Sequence, residues 1–225
     1  MKRICVFCGS SAGSRPEYRA AAEEFGTELV RRNIGLVYGG SNVGLMGIVA
    51  DAVLAAGGEA IGVIPQHLIA REVGHTGLTK LHVVRSMHER KALMADLADA
   101  FVALPGGFGT LDEFCEMVTW TQLGLHMKPC GILNVLGYYS SLLAMFDHAM
   151  REQFLKPENR RLVLSRDSAP ELLEALEDWR PNARCEVAGP QSAISEISQK
   201  ALDGGGTRDG MGLAAIPAKV GVLPV

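Results

Sequence analysis

Short apolar runs alternate along this chain with longer amphipathic stretches, and that alternation restricts the fold more than any other feature. A short apolar run bounded by turn residues reads as a buried strand, and a stretch with 3.6-residue spacing as a helix packed beside it. Repeated, the pair makes βα units and a parallel sheet. Strands are expected at Arg3–Cys8, Ile34–Tyr38, Ala60–Ile64, Leu81–Val84, Ala100–Leu104, Cys130–Asn134 and Arg161–Leu164. Helices are expected at Glu17–Arg32, Gly44–Ala56, Met87–Leu97, Thr110–Leu123, Tyr139–Phe154 and Pro170–Trp179. Gly57-Gly58 reads as a helix stop, and Ser168-Ala169-Pro170-Glu171 as a helix start. Right-handed crossovers then give an open three-layer α/β/α sandwich with a mainly parallel sheet, whose ligands gather at the carboxyl ends of the strands.

The unusual residues fall on those ends. The loops are Gly9–Gly13, Tyr38–Gly47, the long polar Pro65–Lys80 with Arg71, Glu72 and His75, Ser86–Lys91, and Pro105–Glu113. Any one glycine turn is explained by a tight βα connection; five such edges on one face exceed what packing requires. Pro105-Gly106-Gly107-Phe108-Gly109-Thr110-Leu111-Asp112-Glu113 follows a strand and opens a helix, so its backbone N–H groups suit an anion. Glu113, one turn in, is a carboxylate beside that anion; its structural alternative is a residue that merely complements the helix dipole. Arg90 and Lys91 begin another helix, where two cations run against the dipole and serve an anion better than they serve the helix. A surface pair is the competing explanation.

Several classes drop out. Asp112 stands where a third glycine would complete GxGxxG, and no GxxxxGK[ST] occurs, so a single phosphate suits the loop better than a dinucleotide. A net charge of −3 gives no basic field for nucleic acid. Five cysteines, an odd number, argue against a disulfide framework. Cys5 and Cys8 lie on a strand, where residues three apart face opposite sides, so they read as buried small side chains. The apolar start, Ile4–Cys8, is too short for a secretory signal and no run approaches a membrane span, so a cytoplasmic protein is expected. With 48% hydrophobic and 21% charged residues, the 225-residue chain suits one folded domain over 1–180. A Gly-, Ala-, Ser- and Pro-rich tail over 181–225 reads as mostly disordered.

Met87-His88-Glu89-Arg90-Lys91 followed by the Pro105–Glu113 motif resembles the LOG family, the cytokinin riboside 5′-monophosphate phosphoribohydrolases often mislabelled as lysine decarboxylases. The resemblance runs from Cys8–Ser11 through Thr119–Gly124 and Gly137-Tyr138-Tyr139 to about Trp179. Ser41 departs from it, standing where the family usually has a third glycine after Gly39-Gly40; its hydroxyl can donate to a phosphate or ribose. The resemblance implies a Rossmann-like nucleotide-binding domain, without cofactor or metal, that hydrolyses the N-glycosidic bond of nucleoside 5′-monophosphates, AMP included. It implies Arg90 and Glu113 as the catalytic pair. Substrate contacts fall on Glu72, Arg90, Lys91, Gly107, Phe108, Gly109, Thr110, Leu111, Asp112, Glu113 and Thr119. It also implies a homodimer, which Met87, Leu93, Met94, Phe114, Met117, Val118 and Trp120 would serve as surplus apolar surface on the two motif-bearing helices. The rival reading is a non-catalytic nucleotide-binding module, for which Glu113 has no use. A decarboxylase would need pyridoxal phosphate, and no aspartate partner for its ring is identifiable.

Overall fold

A computed structural model describes residues 1–69 and 74–180. Glu72 and the expected tail at 181–225 lie outside these described residues. Seven strands form one all-parallel sheet: β1 (Arg3–Phe7), β2 (Gly35–Tyr38), β3 (Ala60–Pro65), β4 (Lys80–Val84), β5 (Ala100–Ala103), β6 (Cys130–Leu133) and β7 (Val163–Arg166), in the order β4-β3-β2-β1-β5-β6-β7. Each strand expected from the sequence is present. The last is shifted by two residues, because Arg161 and Leu162 belong to the turn after a short helix that the sequence did not announce.

Alternation along the strands divides the core. Ile4, Val6 and Cys8 face a layer formed by α1 (Pro16–Arg31), α2 (Gly44–Ala55) and α7 (Ala169–Asp178). Cys5 and Phe7 face the other, formed by α3 (Met87–Leu97), α4 (Phe108–Gln122) and α5 (Ser140–Arg151); the short helix is α6 (Pro157–Arg160). Both sides of β1 and β5 are closed, with Phe7 and Phe101 stacked at 6.2 Å. Each such buried ring stabilises the fold by roughly 1.5–3 kcal/mol. Cys5 and Cys8 are buried on opposite faces, as the strand argument requires.

The apolar set expected to cover a second copy does something else. Met94, Phe114 and Met117 are buried against the sheet, and Leu93, Val118 and Trp120 are partly buried on the same core. Sheet packing uses the surface that a sequence count left over.

At the amino end of the sheet, the loop from α4 to β6 tucks His126 against Phe101 and Trp120. Burial, with some help from Lys128, pushes the imidazole down to about 4. Between pH 6.5 and 4 the unfolded chain therefore binds a proton that the folded chain refuses, and stability falls as pH falls. The expected loss is about 1–2 kcal/mol by pH 5, with allowance for the ring's partial exposure. In His126→Phe, the drop in Tm between pH 7 and pH 5 should shrink by a few degrees; an unchanged drop would assign the acid sensitivity elsewhere.

Candidate active site

β1 and β5 are neighbours whose following connections leave in opposite directions, so their carboxyl ends open a crevice at the point where the strand order reverses. Leu104 N donates to Phe7 O, and Gly9 N donates to Pro105 O at 3.0 Å, joining the β1 and β5 loops side by side. On this seam lies a cavity of about 320 Å³. Its wall includes Cys8, Gly9 and Ser10 from the first loop, Arg90 from α3, and Gly107, Phe108, Gly109, Thr110, Asp112 and Glu113 from the start of α4.

Glycine is needed at two points for steric reasons. A Cβ at Gly106 would strike Thr110 Oγ1 and Gly9 N, and one at Gly39 would strike the Arg90 guanidinium. At Gly107 and Gly109 a Cβ would meet nothing within 4 Å, so at these two the wall is open rather than packed. The N–H groups of the first turn of α4 have no intrahelical acceptor, and the positive end of the helix faces this open space.

Arg90 is the buried cation of the cavity, 5% exposed. Its Nη2 donates to Gly39 O at 3.3 Å and lies 4.0 Å from Glu113 Oε1. Its Nε, also buried, has no acceptor among the described residues. A buried guanidinium with a donor unsatisfied is costly unless something else supplies the acceptor. The Glu113 side chain is 12% exposed. Beside it, burial and the Glu113 charge push the Cys8 thiol far up, so Cys8 is a neutral wall of the cavity.

The remaining expected residues scatter. Lys91 turns from the loop and pairs with Asp112 Oδ2 at 3.3 Å and Glu116 Oε2 at 3.0 Å, and these carboxylates outweigh its desolvation and raise its pKa. Leu111 packs into the core. Thr119 is exposed on the other side of α4, where its hydroxyl donates to Cys115 O and it lines a small recess with Phe146 and Arg160. Ser41 is fully buried, accepts the Val43 N–H, and is not among the described residues of the cavity wall. His75, expected on a polar rim, is buried too: its Nδ1 accepts the Gly77 N–H and its Nε2 lies 3.0 Å from Asp51. Met46 and Leu68, which the sequence did not single out, complete the wall together with Met87, which was expected to face a second copy.

Fold and site together define a Rossmann-like α/β enzyme whose polar cavity sits at the switch point of the sheet. The family described as "Possible lysine decarboxylase" matches residues 46–176. The cytokinin riboside 5′-monophosphate phosphoribohydrolase LOG1 of Arabidopsis thaliana is 54% identical over 180 residues, covering 80% of this chain and 84% of the relative. The probable phosphoribohydrolase LOGL9 of Oryza sativa subsp. japonica is also 54% identical, over 80% and 79%. The chain belongs to this LOG family of phosphoribohydrolases and is a glycosidase. Among solved structures, the molybdenum cofactor carrier protein of Chlamydomonas reinhardtii superposes with a TM-score of 0.60 at 20% identity, over 78% of this chain and 96% of that one. The X-ray structure of TM1055 does so with 0.58 at 22% identity, over 80% and 100%. At these identities the likeness concerns the fold.

Proposed function

We propose that this chain hydrolyses the N-glycosidic bond of cytokinin riboside 5′-monophosphates and of AMP, releasing the free base and ribose 5-phosphate. The observation that carries this reading is the convergence of Arg90, Glu113 and the open first turn of α4 on one cavity. The 5′-phosphate is bound by the N–H groups of Gly107–Thr110, and that remote binding orients the sugar. As the bond from C1′ to the base nitrogen breaks, its electron pair leaves with the base and positive charge grows on the ribosyl ring. Glu113 stabilises that charge and positions the water, whose oxygen bonds to C1′ while its proton ends on the base. Arg90 Nε, a donor without an acceptor among the described residues, holds a ribose oxygen. Met46, Leu68 and Met87 offer the apolar contact a base requires. Lys91 acts by fixing Asp112 and Glu116.

Base release from AMP and from isopentenyladenosine monophosphate, followed chromatographically, tests the reading. Both should be cleaved, and the unphosphorylated ribosides at least 100-fold more slowly. Equal rates on adenosine and AMP would sink the phosphate anchor, and binding without turnover would favour the nucleotide-binding module.

The working assembly under this reading is a homodimer. Thr119 points away from the cavity of its own chain, so it meets a substrate only if a second copy presents it. Light scattering on the assay samples reads the assembly. A cytoplasmic setting suits four described cysteines that are all free thiols.

A further inference from the structure

Three consecutive carbonyls of the β5–α4 loop each accept a hydrogen bond from outside that loop. Leu104 O accepts the Tyr139 hydroxyl at 2.7 Å, Pro105 O accepts Gly9 N–H at 3.0 Å, and Gly106 O accepts the Tyr138 hydroxyl at 2.7 Å. Tyr139 is buried, whereas Tyr138 is 43% exposed and its ring stands edge-on to Tyr18 at 5.7 Å. The turn that delivers both tyrosines carries a visible cost. Leu136, an exposed and non-glycine residue, holds φ 53° and ψ 27°, and Gly137 follows at φ 73°. A leucine in the left-handed region is strained and persists only where neighbours over-determine it. Here Asn134 does so, its Oδ1 accepting Tyr139 N–H at 2.7 Å and its carbonyl accepting Gly137 N–H. An exposed strained leucine adds nothing to the core; what it achieves is the placing of two phenols.

We infer that Tyr138 is a positioning residue for the anion loop: its bond to Gly106 O fixes the Gly106–Gly107 peptide so that Gly107 N–H is presented to the substrate's phosphate. The geometry follows from the planar trans peptide, in which C=O and N–H point to opposite sides. Tyr138 draws Gly106 O toward a second recess of about 280 Å³ that it lines with Tyr18. Gly107 N–H is then turned away from Tyr138. Gly107 lines both recesses and is the one residue of this peptide that also borders the cavity of Arg90 and Glu113. With no side chain at 106 or 107, nothing intrinsic to the loop sets this orientation. The tyrosine supplies it, at a separation of 32 residues.

The inference rests on the reading above of a hydrolase that cleaves the N-glycosidic bond of a phosphate-anchored nucleotide, and its test keeps the two apart. In the full ligand-free chain, Tyr138→Phe should speed amide hydrogen exchange across Gly106–Thr110 at least fivefold, with Tm within about 2 °C of the parent. Tyr18→Phe, which keeps the ring contact and leaves the Gly106 bond intact, should leave exchange unchanged. Calorimetric titration with AMP should show Kd raised about tenfold by Tyr138→Phe. In turnover, KM for AMP should rise by a similar factor while kcat falls less than threefold, and cleavage of adenosine should stay as slow as before. Unaltered loop exchange in Tyr138→Phe would overturn the inference outright. So would equal losses on AMP and adenosine, which would mark general damage. A parent chain that binds AMP without cleaving it, together with faster loop exchange and weaker binding in Tyr138→Phe, would reject the hydrolase reading and support the positioning role.

Discussion

Replacing Glu113 with glutamine is expected to lower turnover of a nucleoside 5′-monophosphate by about a thousandfold or more, roughly 4 kcal/mol of barrier, while AMP still binds. The substitution keeps the shape and hydrogen-bonding reach of the side chain and removes its charge. Binding through the α4 first turn does not need that charge, and the phosphate is relieved of a nearby carboxylate. The ribosyl cation of the transition state does need it, because an 88% buried side chain faces little competing solvent. Stopped turnover with retained affinity distinguishes chemistry from carriage. Near-normal kcat in Glu113→Gln would transfer the catalytic role to another group and strengthen the binding-module reading.

The second large effect is expected from a residue that carries no functional group. Gly39→Ala adds one methyl group, and that methyl would overlap Nη2 of the Arg90 guanidinium. Arg90 must then leave its place between Gly39 O and Glu113. Activity should fall by about 10²–10³, close to the loss in Arg90→Ala, because removing one aligned donor from a buried site is worth that much. Since both changes delete the same interaction, the Gly39→Ala/Arg90→Ala double variant should lose little beyond either single one. Multiplied losses would show that Gly39 and Arg90 act separately, and a fully active Gly39→Ala would place the working position of Arg90 elsewhere.

These expectations show where the sequence was informative. Strands buried on both faces leave uninterrupted apolar runs, so β1, β3 and β5 were legible without tertiary knowledge, and so was the edge of the sheet where ligands gather; the strand order that places the crevice between β1 and β5 was not. The Pro105–Glu113 segment was legible because glycine, threonine and an acidic residue at a strand-to-helix turn have few other uses together. What stayed hidden depends on distance in sequence or on helix phase. Thr119 follows Glu113 by six residues, which at 100° per residue puts it on another side of α4. Lys91 was expected to contact the substrate, whereas in the structure it pairs with Asp112 and Glu116 on the facing helix. The Ser41 hydroxyl was read as able to donate to a phosphate or ribose, yet the residue is fully buried. Tyr138 and Tyr139 bond to carbonyls more than thirty residues earlier in the chain, and no local pattern signals such a pairing. Helix α6 was missed because four residues beginning with Pro157 make too short a period to detect.

Cys8 has a bearing on how the cavity can be blocked. The thiol is in the wall, next to Glu113, and invites a covalent inhibitor. Yet the reactive species of cysteine is the thiolate, and burial together with the neighbouring negative charge raises the pKa of this thiol and disfavours that species. Electrophiles and mild oxidants that enter would meet a thiol whose reactive form is disfavoured. Selective chemistry against this cavity has to come from ligands that place an acceptor on Arg90 Nε and an anion at the first turn of α4, held without a covalent bond.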